Sequence, residues 1–97
     1  MFVGDHVDAY VRALQDDHAL GEVFNVSPGN PIRNIELAER IAEISGSKSR
    51  IVEGSYPPAY PMRPAAWDTD YIVLNSGKIR SKLGWKPSVS LDEGLQL

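Results

Sequence analysis

The sequence predicts an α/β fold, with three to four helices and a few short strands, and three observations lead to it. Amphipathic stretches with helical spacing begin near Asp5 and Asn34. Short runs of β-branched and aromatic residues, at residues 22–26 and 50–53, lie between or after them. A basic helix, a glycine stop and a second helix start follow within residues 75–97. Helices that alternate with short apolar strands are typical of α/β proteins.

The composition restricts the class of protein. The chain has 97 residues, a net charge of −3 and no cysteine. Disulfides, thiol catalysis and zinc–thiolate sites are therefore excluded. We expect a cytoplasmic protein without a signal peptide. The chain as a whole lacks the excess of basic residues typical of nucleic-acid binding, and it has no apolar run of the ~20 residues that span a membrane. The only basic cluster, interpreted as a solvated helix face, comprises Lys78, Arg80, Lys82 and Lys86.

The first predicted helix covers residues 5–15. Its apolar residues recur at spacings of three, four and seven and build one face: Val7, Tyr10, Val11 and Leu14. Asp5 is the predicted N-cap, because its carboxylate can accept a hydrogen bond from a first-turn amide. Phe2 and Val3 are assigned to a strand. Residues 22–26 form a second strand, with apolar residues on both faces as in a sheet covered on both sides.

The second predicted helix covers residues 35–45, with Asn34 as its cap. Gly46 lies where a left-handed residue commonly ends a helix. A short strand is expected at residues 50–53. Residues 54–69 contain four prolines and cannot form regular structure. This loop is nevertheless rich in large side chains that are costly to leave in water, namely Tyr56, Tyr60, Met62 and Trp67.

The last third begins with a predicted strand at residues 71–74. Asn75 is expected to cap a short helix that Gly84 ends. Trp85 follows this stop and precedes a proline, and is interpreted as a packing anchor. Ser90 and Glu93 form a capping box, so a last helix is expected to begin at Leu91.

Taken in order, these segments carry a series of short motifs. They are Phe2-Val3-Gly4-Asp5, Gly21-Glu22-Val23-Phe24-Asn25-Val26, Glu36-Leu37-Ala38, Arg63-Pro64, Ser76-Gly77-Lys78-Ile79-Arg80, Leu83-Gly84-Trp85-Lys86-Pro87 and Leu91-Asp92-Glu93-Gly94-Leu95. The chain thereby resembles the carboxyl-terminal part of an extended short-chain dehydrogenase/reductase. The closest group is the NAD-dependent nucleotide-sugar epimerases and dehydratases.

This resemblance implies a role for residues 1–97 as the substrate-binding portion of a Rossmann-type enzyme whose NAD-binding part is absent here. In that family the arginine of the Arg-Pro loop binds the phosphates or ribose of a nucleotide-sugar, which implies that Arg63 contacts the substrate. The resemblance also implies a ribose-binding carboxylate. The family places it three residues after the arginine, and the candidate here, Asp68, is five residues on.

The catalytic parts of the family are missing from these residues. No Gly-rich turn follows a strand, and none of the four tyrosines has a lysine four residues later. We therefore expect no catalytic residue, no bound cofactor and no metal in this chain, with NAD held by the full-length parent. Two alternatives stay open: a stand-alone module that binds a nucleotide or sugar phosphate, and an interaction fragment that self-associates through exposed strand edges.

Overall fold

A computed structural model describes residues 1–54 and 73–97 and divides the chain into two units. Unit 1 comprises Met1–Asn30 and Val73–Leu97, and unit 2 is Pro31–Ile72. The described part contains four α-helices and one short 3-10 helix. Within it, no helix is both long and apolar enough to cross a membrane.

Helix α1 spans Val3–Gln15 and begins earlier than predicted. Phe2 is its N-cap, so the predicted strand at Phe2 and Val3 is wrong. The prediction of Asp5 as N-cap is also wrong, because Asp5 lies inside the first turn. A carboxylate is still favoured there by the free amides at a helix start. The 3-10 helix Asp17–Ala19 follows and is capped by the Asp16 carboxylate, which accepts a hydrogen bond from the His18 amide at 2.9 Å.

The core of unit 1 is built around Trp85, which is completely buried. Three further buried apolar residues surround it: Ala9 from α1, and Ile79 and Leu83 from a later helix, Gly77–Leu83. Partly buried side chains complete the cluster, namely Ala13, Ala19, Phe24 and Val26. Trp85 is therefore a packing anchor, as predicted.

Helices α3 and α4 lie in the last part of unit 1. Helix α3 spans Gly77–Leu83 with Ser76 as N-cap, while the predicted cap, Asn75, accepts a hydrogen bond from the Gly77 amide at 2.8 Å. Gly84 ends α3 with φ 64°, a left-handed conformation that glycine adopts without steric cost. Helix α4 spans Leu91–Gln96. Its predicted capping box is confirmed: the Glu93 amide donates to Ser90 Oγ, and the Ser90 amide donates to the Glu93 carboxylate.

Helix α2 is the described helix of unit 2 and spans Asn34–Ser45. Its N-cap is Arg33 rather than the predicted Asn34, a shift of one residue. The Arg33 amide donates to the Glu36 carboxylate at 2.8 Å, which satisfies a donor just before the helix. The left-handed Gly46 at the carboxyl end is confirmed, with φ 64°. No residue of α2 is buried.

The few short strands that we predicted are not seen in the described residues. Residues 22–26 and 50–53 have no regular secondary structure, and the predicted strand at 71–74 lies half outside the described ranges. A strand is defined by the hydrogen bonds to its neighbour, and no described segment supplies that neighbour. Residues 22–26 keep one property of a strand, because exposed and partly buried side chains alternate along them.

Candidate functional site

The most heavily bonded group in unit 1 is the buried carboxylate of Asp5. It accepts hydrogen bonds from Ser88 Oγ at 2.6 Å, from the Ser88 amide at 2.9 Å and from the Val89 amide at 3.1 Å. The hydrogen bond from the Ser88 side chain is the largest cause that lowers the pKa of Asp5 below its ordinary value, followed by the bond from the Ser88 amide. Asp5 therefore stays ionised and ties α1 to the segment before α4.

The Trp85 indole also contacts Asp5, from the side of the core. Its Nε1–H donates to the backbone carbonyl of Asp5 at 3.0 Å. A buried indole N–H that found no acceptor would be costly, so this bond specifies how the ring sits against α1. Asp5, Trp85 and Ser88 form the contact that we call the α1 anchor. Asp5 is 80 positions from Trp85 and 83 from Ser88 in sequence, and no local signal identified the anchor.

The basic cluster is not simply a solvated helix face, which corrects our interpretation of it. Lys78 and Lys82 both bind the carboxylate of Glu22, and the Lys82 contact measures 2.7 Å. The Lys78 ammonium also lies 5.2 Å from the centre of the Phe24 ring, a cation–π contact. Hydrogen bonds from Lys78 and then Lys82 lower the pKa of Glu22 to about 2. These two lysines are therefore engaged by the protein itself.

Arg80, also in the basic cluster, holds the turn at residues 27–30. Its Nη2 donates to the Pro28 carbonyl at 3.2 Å, and Ser76 Oγ donates to the Ser27 carbonyl at 2.9 Å. The Gly29 amide donates to Ser27 Oγ at 3.2 Å. Proline offers no amide hydrogen, and the nearby glycine amide is already used. This turn does not fit the pyrophosphate of a dinucleotide, which needs several free amides directed at it.

An open surface cavity of about 370 Å³ lies between α1, the 3-10 helix and α3. Its lining residues are Arg12, Gln15, Asp16, Asp17, His18 and Leu83. Three of the lining side chains already have partners within the chain. Arg12 binds Asp8 at 2.8 Å and the Leu83 carbonyl at 3.2 Å, and His18 Nδ1 lies 2.8 Å from the Asp16 carboxylate. Among the described residues, no group of three or more potential metal ligands comes together.

The model of one protein family, described as GDP-mannose 4,6 dehydratase, matches residues 1–97 in full. This chain belongs to the GDP-mannose 4,6-dehydratase family. Together with the relatives below, the match confirms the predicted resemblance, in which the chain corresponds to the carboxyl-terminal part of an extended short-chain dehydrogenase/reductase.

Three curated proteins are similar in sequence to this chain. The chain is 34% identical over 97 residues to a probable GDP-L-fucose synthase 1 of Oryza sativa subsp. japonica. It is 35% identical over 95 residues to a dTDP-glucose 4,6-dehydratase of Streptomyces niveus and to a UDP-glucose 4-epimerase of Mycolicibacterium smegmatis. Each alignment covers 98% of this chain, but only 26%, 26% and 28% of these relatives in turn. No solved structure gave a significant match.

The chain thus spans about a quarter of the length of the curated relatives that it matches. The two residues predicted to bind substrate in this family member, Arg63 and Asp68, lie outside the described residues, as does most of the proline-rich loop that contains them. The structure therefore brings neither of them to a described site, and their roles stay predictions.

Proposed function

We propose that these residues form the carboxyl-terminal, substrate-binding part of a cytoplasmic, NAD-dependent nucleotide-sugar epimerase or dehydratase, and that they are not catalytic alone. The observation that carries this proposal is the match of the family model across residues 1–97. The sequence supports the proposal that these residues are not catalytic alone, because it contains neither a Gly-rich dinucleotide turn nor a tyrosine with a lysine four residues later.

The names of the relatives point to one class of ligand. They refer to GDP-L-fucose, dTDP-glucose and UDP-glucose, which share a nucleoside diphosphate linked to a sugar. We propose that Arg63 binds the diphosphate, because a guanidinium offers a planar pair of donors that matches two phosphate oxygens. Asp68 is proposed to accept a hydrogen bond from the ribose.

The contacts of unit 1 are consistent with assigning phosphate binding to the loop rather than to the basic cluster. Lys78 and Lys82 share the Glu22 carboxylate, and Arg80 donates to the Pro28 carbonyl. A phosphate at this cluster would have to compete with a carboxylate that is already bound by two lysines. The turn at residues 27–30 is likewise closed by internal hydrogen bonds, so NAD is proposed to bind to the part of the parent enzyme that this chain does not contain.

Binding of nucleotide-sugars to the 97-residue chain tests the proposal. Isotope-labelled chain is titrated with UDP-glucose, dTDP-glucose, a GDP-sugar and NAD, and amide shifts are followed by NMR. We expect shifts near Arg63 with at least one nucleotide-sugar and none with NAD. Arg63→Gln removes the charge-assisted donors and should weaken that binding roughly 10-fold or more, because hydrogen bonds to charged groups contribute about 1.5–3 kcal/mol.

Arg50→Gln is the matched control, because it removes the same charge at an exposed position before the loop. It should leave the affinity within about twofold of the unmodified chain if the effect of Arg63 is specific and not a loss of net charge. The absence of any shift near Arg63 at millimolar nucleotide-sugar would overturn the binding role. Micromolar affinity for NAD would overturn the proposal that NAD binds to the part of the parent enzyme that this chain does not contain.

A further inference from the structure

The residues proposed to bind substrate, Arg63 and Asp68, belong to unit 2, and the chain passes into and out of that unit once. It leaves unit 1 after Asn30 and returns to it at Val73. A contact that joins the two segments of unit 1 beside these points limits the positions that both ends of unit 2 can take. A segment with fixed ends has fewer conformations to lose when it binds a ligand, so it binds more tightly.

Two side chains of the returning segment make such a contact with the entering segment. Ser76 Oγ donates to the Ser27 carbonyl at 2.9 Å, and Arg80 Nη2 donates to the Pro28 carbonyl at 3.2 Å. Arg80 Nε also donates to Ser76 Oγ at 3.3 Å, which links the two hydrogen bonds. We call these four residues the clasp. Its bonded pairs are 49 and 52 positions apart in sequence, on either side of unit 2.

The Ser76 side chain serves the clasp and not its own helix. Ser76 occupies the N-cap position of α3, where a serine commonly accepts a hydrogen bond from a first-turn amide. Its side chain makes no such bond, and the Asn75 side chain accepts one from the Gly77 amide instead. Ser76 is only 5% exposed, and its hydroxyl both donates and accepts within the clasp. The cost of burying this hydroxyl is therefore offset by a contact with the entering segment.

The turn that leads from the clasp to unit 2 is stiff. Pro28 and Pro31 have a fixed φ, and each restricts the residue before it. Gly29 is the one residue of this turn without either restriction, and it has φ 82°. Its amide donates to Ser27 Oγ at 3.2 Å, and a Cβ atom at this position would lie 3.4 Å from Arg80 Nη2. The clasp therefore holds the flexible position of the turn, and the direction of the chain is fixed up to Pro31.

The clasp lies outside the hydrophobic core of unit 1. Neither Ser76 nor Arg80 belongs to the cluster around Trp85, and Arg80 is exposed. A single hydrogen bond of this kind contributes modestly to stability, so unit 1 should stay folded when one is removed. An effect of the clasp on ligand binding can therefore be measured separately from its effect on folding.

We propose that Ser76 and Arg80 are positioning residues for nucleotide-sugar binding. The clasp fixes both ends of residues 31–72, so that Arg63 meets the diphosphate with fewer conformations to lose. The inference rests on the proposed function, because it takes Arg63 as the residue that binds the ligand. Ser76 and Arg80 act through Arg63 and do not contact the ligand themselves.

The test measures dissociation constants of the 97-residue chain for UDP-glucose, dTDP-glucose and a GDP-sugar, at a temperature where every variant is folded. Ser76→Ala removes the hydroxyl without a change of charge. Its control is Ser81→Ala, because the exposed Ser81 donates to the Lys78 carbonyl within α3. Arg80→Gln removes the guanidinium, and its control, Lys86→Gln, removes the same charge from an exposed residue outside the clasp.

We expect Ser76→Ala and Arg80→Gln each to weaken binding roughly 3- to 10-fold, and the two controls to change it less than about twofold. In a chain that already carries Arg63→Gln, Ser76→Ala should add less than about twofold, because the clasp acts through Arg63. A side chain that only stabilised the fold would not show this dependence. Without ligand, the ¹⁵N order parameter of Gly29 should fall from about 0.85 to below about 0.6 in both clasp variants.

Three results would overturn the inference: a clasp variant that binds as tightly as the unmodified chain, a loss that adds in full to that of Arg63→Gln, or an unchanged order parameter at Gly29. The proposed function fails by a different result, in which Arg63→Gln has no effect or no nucleotide-sugar binds. The binding role of the clasp then falls with it, whereas the order parameter, measured without ligand, still shows whether the clasp holds the turn.

Discussion

Helices α1 and α2 have similar lengths and both are amphipathic, yet only α1 is fixed by buried side chains. Helix α1 has 13 residues and buries Asp5 and Ala9, whereas α2 has 12 residues and buries none. The difference arises from the residues that contact each helix rather than from the helix itself. Asp5 of α1 accepts hydrogen bonds from the Trp85 ring and from the Ser88 and Val89 amides. Helical spacing of apolar residues in the sequence shows that a helix could bury one face. It does not show which face is buried, or whether any face is buried at all.

The largest expected effect is on the Trp85 core. Trp85→Ala removes a completely buried ring and should lower the free energy of unfolding by about 3–5 kcal/mol, as large-to-small changes in cores do. Ile41→Ala on α2, where the side chain is 45% exposed, should cost less than about 1 kcal/mol. Urea titration followed by circular dichroism compares the two. Equal losses would mean that the two helices are anchored to the same degree.

The second effect concerns the α1 anchor and depends on pH. The pKa of Asp5 is lowered in the folded chain, so its stabilisation is complete above the ordinary pKa and is lost as the pH falls through the folded pKa. Asp5→Asn, which keeps the shape but removes the charge, should therefore destabilise the chain at pH 7 and matter progressively less in acid.

Asp17→Asn changes an exposed carboxylate of the same unit and is the control for Asp5. Unfolding midpoints are measured from pH 7 down to pH 2.5 for both variants. The midpoint difference for Asp5→Asn should shrink on acidification, and that for Asp17→Asn should stay small throughout. A difference for Asp5→Asn that does not change with pH would show that its carboxylate is not stabilised in the ionised form.

A smaller effect is expected at Glu22. Its pKa is lowered to about 2 from 4.5, so the contribution of its contacts with Lys78 and Lys82 is present above pH 4.5 and lost between there and about pH 2. The Glu22 side chain is 30% exposed and its lysine partners are 43% and 44% exposed, so solvent screens the attraction.

Glu22→Gln should accordingly lower the unfolding midpoint less than Asp5→Asn at pH 7. The loss should diminish further in 1 M salt, where the screening length falls to about 3 Å. Glu39→Gln on the exposed side of α2 is the matched control. A Glu22→Gln effect that is as large as that of Asp5→Asn and insensitive to salt would contradict the distinction between a screened surface cluster and a buried anchor.

Much of the helical structure could be predicted because it depends on neighbours in sequence. The capping box of Ser90 and Glu93, and the glycine stops at Gly46 and Gly84, involve residues within one helical turn of each other. Helix starts were less accurate, by one or two residues, because several adjacent residues can serve as the cap. The order of the motifs also identified the family, since it preserves the order of the elements.

The contacts that define unit 1 could not be predicted in this way, because they join residues that are far apart in the chain. Asp5 meets Ser88 across 83 positions, and Lys82 meets Glu22 across 60. The strand prediction for residues 22–26 was wrong for a related reason: the alternation of side chains is local, but the hydrogen bonds that make a strand come from a neighbouring segment. Local sequence decided where α1 forms, and only the packing of Trp85 decided that its small residues face inward while its large ones remain exposed.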